Sequence, residues 1–77
     1  MKESNRYYNF ISQSLGRYMN LDWGLTDEHG KDLNAQGLLH GGLIRALYGR
    51  NDEDKIIIET DAHRQMTTIT FASDIQN

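Results

Sequence analysis

Glu59, Asp61 and His63 alternate along the run Glu-Thr-Asp-Ala-His-Arg, a spacing that puts possible ligands on one side of an extended strand. Such a set suits a divalent metal or an acid–base pair. On a strand, however, residues i and i+2 lie about 6–7 Å apart, so only a bend at the turn brings Asp61 and His63 together. His29 and His40 return to nearly the same helical face but stand ~16 Å apart at 1.5 Å per residue, too far to share one ion. Asp22 with His29 is a further acid–base combination of a kind that most sequences contain. The chain has no Cys, which removes disulfides and thiolate sites. It also lacks a nucleophile elbow of the Gly-x-Ser-x-Gly type and a glycine loop that could cradle phosphate. A metal site needs convergent ligands and an outer shell that orients them, and a domain of 77 residues has little material with which to surround a substrate. The expectation is a non-enzyme with no catalytic residue, metal or cofactor. A small metal-dependent hydrolase using Asp61 and His63 ranks third among the functions considered.

Residues suited to holding a partner form a second group. Asp52, Glu53 and Asp54 crowd three carboxylates onto one polar turn, where they could engage a basic groove on another protein. The plainer alternative is that turns are polar because they are solvated. Tyr8 falls off the apolar stripe of its helix and suits an interface anchor. The formal net charge is −3 and unevenly placed: residues 1–20 carry three bases against Glu3, whereas residues 21–77 carry five bases against ten acids. An acidic balance disfavours a binder of nucleic-acid backbones, which shows a basic stripe. A small nucleic-acid-binding regulator using Lys2, Arg6 and Arg17 is therefore the alternative rather than the leading function. No apolar run approaches a membrane span, and the N-terminal residues lack a secretory signal's apolar core, so the expected location is the cytoplasm.

The elements that must position these groups follow from periodicity. Tyr7, Phe10, Ile11, Leu15 and Tyr18 keep i, i+3, i+4 spacing and predict a helix over about 5–19, with Ser4 as its cap. Asp22, Trp23 and Gly24 break it; Gly24 can take positive φ, and Trp23 folds back onto the domain. Thr26 or Asp27 caps a second helix over about 27–40, which stops at Gly41-Gly42. Strands are expected over about 43–48, 55–60 and 66–71. The short connections make them an antiparallel meander. The predicted fold class is α+β: one domain, 1–77, with two N-terminal helices packed on one face of a three-stranded antiparallel meander. Three consecutive isoleucines leave Ile57 on the face away from the helices, in need of cover. The outer strands leave two open edges, either of which offers a route to a homodimer or a target protein.

Taken together, "LDWG" at 21–24, "DEHGKDLN" at 27–34, "GGLIRALY" at 41–48 and "KIIIETDAHRQMTTITF" at 55–71 resemble a family of short, uncharacterised proteins carried on bacterial plasmids, integrative elements and prophages. The resemblance covers about three quarters of the chain and rests on the joint order of the motifs. It implies Asp22, Trp23, Gly24 and Tyr48 as structural positions and Arg64 as the match to the family's turn arginine. The family's acid followed by Asp-Arg stands here as Asp61-Ala62-His63-Arg64, so an Asp–Arg ion pair is not carried over. The family's closing Pro and two acids stand here as Ala72-Ser73-Asp74. The expected partner-binding set is Asp52, Glu53, Asp54, Tyr8 and Arg64. The leading expectation is a mobile-element or phage accessory protein that binds another protein. Its most concrete form is an anti-defence inhibitor of the anti-CRISPR type, with a host CRISPR–Cas component as partner.

Overall fold

The structure, a computed structural model, describes residues 2–49 and 55–71, with side chains described from Tyr8 onward. Two helices, α1 (Lys2–Met19) and α2 (Glu28–His40), precede three strands, β1 (Ile44–Gly49), β2 (Lys55–Thr60) and β3 (Thr67–Phe71). The strands form one antiparallel sheet in the order β1-β2-β3, so the α+β arrangement expected from periodicity is the one observed. None of the helices among the described residues is long and apolar enough to cross a membrane.

α1 begins at Lys2, earlier than the apolar stripe suggested, and Ser4 therefore lies inside the helix instead of capping it. Its buried positions are Phe10, Ser14 and Tyr18, each four residues apart and so on one face. The helix ends where Asn20 turns both its backbone N–H and its side-chain amide onto the Gly16 carbonyl. Leu21 then takes a left-handed φ of 65°.

The Asp-Trp-Gly corner that follows is fixed from several sides. The Asp22 carboxylate accepts from Arg17 Nε at 2.8 Å and Nη2 at 3.1 Å, and also from the Gly24 N–H at 3.1 Å. The Asp22 carbonyl accepts from the Tyr48 hydroxyl at 2.7 Å. Gly24 has φ +63°, and a methyl group there would lie 2.5 Å from the Tyr48 ring and 2.6 Å from the Leu47 carbonyl oxygen. Only glycine allows the corner to approach β1 so closely. Trp23 meets Tyr18 edge to face, with ring centroids 5.7 Å apart.

The register places Ile44, Ala46 and Tyr48 opposite Thr60, Ile58 and Ile56, and those in turn opposite Thr67, Ile69 and Phe71. Side chains alternate between faces along a strand, so these nine residues share one face, the one that α1 covers over β2. Phe10 and Tyr18 join five of them, Ile44, Ala46, Tyr48, Ile56 and Ile58, as the buried core.

The expectation that both helices lie on one face requires correction. α2 packs against β1, and it does so edge-on. Asn34, only 2% exposed, donates from its amide to the Arg45 carbonyl at 2.8 Å and accepts from the Arg45 N–H at 3.0 Å. A side-chain amide thus stands where another strand's peptide would stand. Farther along the same edge, the Leu25 N–H donates to the Leu47 carbonyl, and the Leu47 N–H donates to the Thr26 hydroxyl. β1 is consequently not an open edge, because the outward peptide groups of Arg45 and Leu47 are satisfied within the chain. β1 starts at Ile44, one residue later than expected. β3 starts at Thr67, because the Met66 carbonyl is used to close the preceding turn onto the Asp61 N–H.

Candidate functional site

The turn that carried the metal hypothesis is built for structure. The Asp61 carboxylate accepts from the Gln65 N–H at 2.8 Å and lies 3.4 Å from the Met66 N–H, which holds the bend between β2 and β3. Arg64 sits at φ 61° and spreads its guanidinium over three carbonyls: Gly42 at 2.6 Å, Asp61 at 2.9 Å and Gly37 at 2.9 Å. Two of these belong to the end of α2 and the segment after it, so Arg64 ties the β2–β3 turn to the α2 terminus. Expected as a partner contact, this residue is exposed and uses three of its five guanidinium N–H groups within the fold. Among the described residues no three His, Asp or Glu side chains converge as a metal site would require.

Asp22 is committed as well. Its bonds from Arg17, and then from the Gly24 N–H, hold its carboxyl below the usual carboxylate range. The Tyr48 phenol beside it is pushed up to about 12, chiefly by burial and then by the Asp22 charge. Neither group is poised to exchange a proton near neutral pH. The guanidinium of Arg17 also lies 5.5 Å from the Tyr48 ring centroid. The four positions Asp22, Trp23, Gly24 and Tyr48 therefore meet in one corner. Tyr8 stands 74% exposed on α1. Asp52, Glu53 and Asp54 lie outside the described residues.

One concavity was not foreseen from the sequence. An open groove of about 970 Å³ runs along α2 on the side of the sheet away from α1, walled by Leu25, Leu33, Leu43, Leu47 and Ile57. It exists because α2 buries Asn34 and Gly37 while its leucines point outward. Gly37 lets the helix approach the start of β1: a methyl group there would lie 2.9 Å from Ile44 Cδ1 and 3.0 Å from the Leu43 carbonyl oxygen. The helix begins with Asp27, whose carboxylate caps the Gly30 N–H at 2.7 Å. It ends at Gly41 in the left-handed region. Both caps hold α2 along the edge with Leu33, about half exposed, turned into the groove. Ile57, which the sequence left on the far face in need of cover, is part of this wall and is half-buried.

The polar side chains around the groove are largely spent on the fold. Asn34 serves Arg45, Asp27 serves Gly30, and the Thr26 hydroxyl bridges the Trp23 carbonyl and the Leu47 N–H. Arg45 differs: its peptide is clamped by Asn34, yet its guanidinium makes no ion pair among the described residues, although Glu59 stands opposite it on β2. What the groove offers a guest is apolar surface with the Arg45 guanidinium, Gln36 and His40 at its wall. Compared with protein-family models, curated proteins and solved structures, the chain shows no match.

Proposed function

We propose that this chain is a protein-binding module that holds a partner in the groove between α2 and the sheet. The observation that carries the reading is the inverted helix. α2 buries an asparagine and a glycine and turns Leu33 out, where it joins Leu25 and Leu43 from the flanking segments, each about half exposed around one concavity. Exposed apolar surface of this kind is costly to keep in water and marks interaction sites. The occupant is an apolar stretch of a partner protein with a carboxylate that meets Arg45, since desolvated apolar anchors give affinity and a matched charge gives orientation. The resemblance to mobile-element cargo supports the most concrete form of this role, an anti-defence inhibitor of the anti-CRISPR type that acts on a host defence protein.

The test compares the wild type with Leu33→Asp and Arg45→Glu in a bacterial host carrying an active CRISPR–Cas system. Wild-type expression is expected to raise phage plating efficiency, and the two variants to lose that effect while their circular dichroism stays native. Failure of the wild type to protect phage removes the anti-defence role. Retention of full activity by both variants removes the groove.

A further inference from the structure

The two outer edges of the sheet end differently. On β1 the outward peptide groups are closed by Asn34, Leu25 and Thr26. The same bonds reveal which groups of β3 point outward. Because Arg45 faces away from β2, its neighbour Ala46 bonds toward β2 and its partner Ile58 bonds back toward β1. Ile69, opposite Ile58, must therefore turn its N–H and C=O away from the sheet, and Thr67 does the same two residues earlier. Among the described residues these outward groups of Thr67 and Ile69 have no partner.

Protected edges commonly carry a Lys, a Pro or an inward charge. β3 has none of these, and no charged residue stands between Arg64 and Asp74. All five of its residues are exposed. Ile69 and Phe71 remain 39% and 37% exposed, although they sit beside Ile58 and Ile56, which are fully buried on the same face. A neighbouring strand would continue that apolar layer.

We propose that β3 pairs antiparallel with β3 of a second copy, on a two-fold axis at Ile69, to make a continuous six-stranded sheet. The strand is complementary to itself in this register. Ile69 meets its own copy on the axis and exchanges both peptide bonds with it, Thr67 meets Phe71, and on the opposite face Thr68 meets Thr70. Apolar pairs and Thr–Thr pairs both favour antiparallel neighbours, and an isologous contact of this kind closes after two copies. A partner of either charge sign finds nothing to match on β3, whereas two copies of a chain with net charge −3 meet here where neither carries charge. The strand alone buries less than the ~800 Å² per partner of a standard interface, so the dimer is of the weak, concentration-dependent class. The grooves lie at the far edges of the doubled sheet, so the pairing stands independently of the groove reading.

Sedimentation of the full chain over a wide concentration range tests the pairing. The apparent mass is expected to rise from 8.9 kDa to twice that value. Thr68→Glu with Thr70→Glu sets acid against acid at both cross-strand pairs and should hold the chain monomeric. Thr68→Lys with Thr70→Glu sets opposite charges together and should keep the dimer. Both positions are exposed on the face away from α1, and circular dichroism checks that the sheet survives. Amide exchange on the wild type provides a readout without substitution: Thr67 and Ile69 should gain protection as concentration rises. A wild type that stays monomeric throughout, two variants that behave alike, or exchange at these amides that ignores concentration overturns the proposal.

Discussion

Replacing Asn34 with alanine removes both bonds that seal the middle of β1. The amide's donor at 2.8 Å and acceptor at 3.0 Å each serve a peptide group of Arg45, and alanine offers neither. An orphaned, partly buried peptide group costs ~1–3 kcal/mol. Two of them give about 2–4 kcal/mol after allowing water some access at the edge. A chain of this length has roughly 4–12 kcal/mol of total stability at ~0.05–0.15 kcal/mol per residue, so Asn34→Ala should visibly lower the urea midpoint. The single Trp, Trp23, packed edge-on against Tyr18, reports the transition by fluorescence. The slope with urea should stay unchanged, since the surface exposed on unfolding is the same. Asn34→Asp is the sharper control. Its carboxylate still accepts from the Arg45 N–H but faces the Arg45 carbonyl without a proton to donate, so it should also destabilise. A loss below ~0.5 kcal/mol for alanine, the size of an ordinary surface change, would refute the edge-sealing role. So would an aspartate variant as stable as wild type.

Gly24→Ala should cost about 3 kcal/mol or more, because the left-handed φ is combined with a methyl group driven into the Tyr48 ring and the Leu47 carbonyl; a thermal melt within a degree of wild type would contradict this. Arg64→Lys should destabilise about as much as Arg64→Ala, by ~1–2 kcal/mol, since one ammonium cannot span three carbonyls; a partner-facing Arg64 would leave urea unfolding unaltered in both. Because Arg17 and the Gly24 N–H depress the Asp22 carboxyl in the fold, its contribution is present above the ordinary aspartate value of about 3.9 and fades as pH falls below it. Asp22→Asn should flatten that acid limb of stability against pH. Tyr48 is raised, to about 12, so its contribution is complete below the ordinary phenol value near ~10 and is lost as pH climbs through the folded value; Tyr48→Phe should remove that alkaline limb.

The elements were legible because each is a local pattern. The apolar stripe of α1, the Asp27 cap, the Gly41 stop and the three isoleucines of β2 are statements about neighbours a few residues apart. Parts of the site were illegible for the opposite reason. Asn34 sits mid-helix among polar residues, and periodicity assigns it to the solvent side. It is buried because it meets a strand edge eleven residues further along the chain. Arg64 looked available because a turn arginine is usually solvated, whereas its guanidinium closes onto carbonyls more than twenty residues away. Leu33, Leu38 and Leu39 are the large apolar residues of α2, yet all three are exposed to a large extent.

By itself the sequence determined the order, type and approximate limits of the elements, their antiparallel pairing and the need for glycine at the Asp-Trp-Gly corner. Hydrophobic periodicity, capping and turn chemistry act over the same short range as the residues that encode them. Only the tertiary structure decided where α2 lies, and from that placement came the sealed edge of β1 and the groove. A helix that carries both an apolar stripe and a bondable amide can be buried by either. The choice rests on whether two unpaired peptide groups at a sheet edge cost more than a few leucines left half in water. That balance exists only once helix and strand have been brought together.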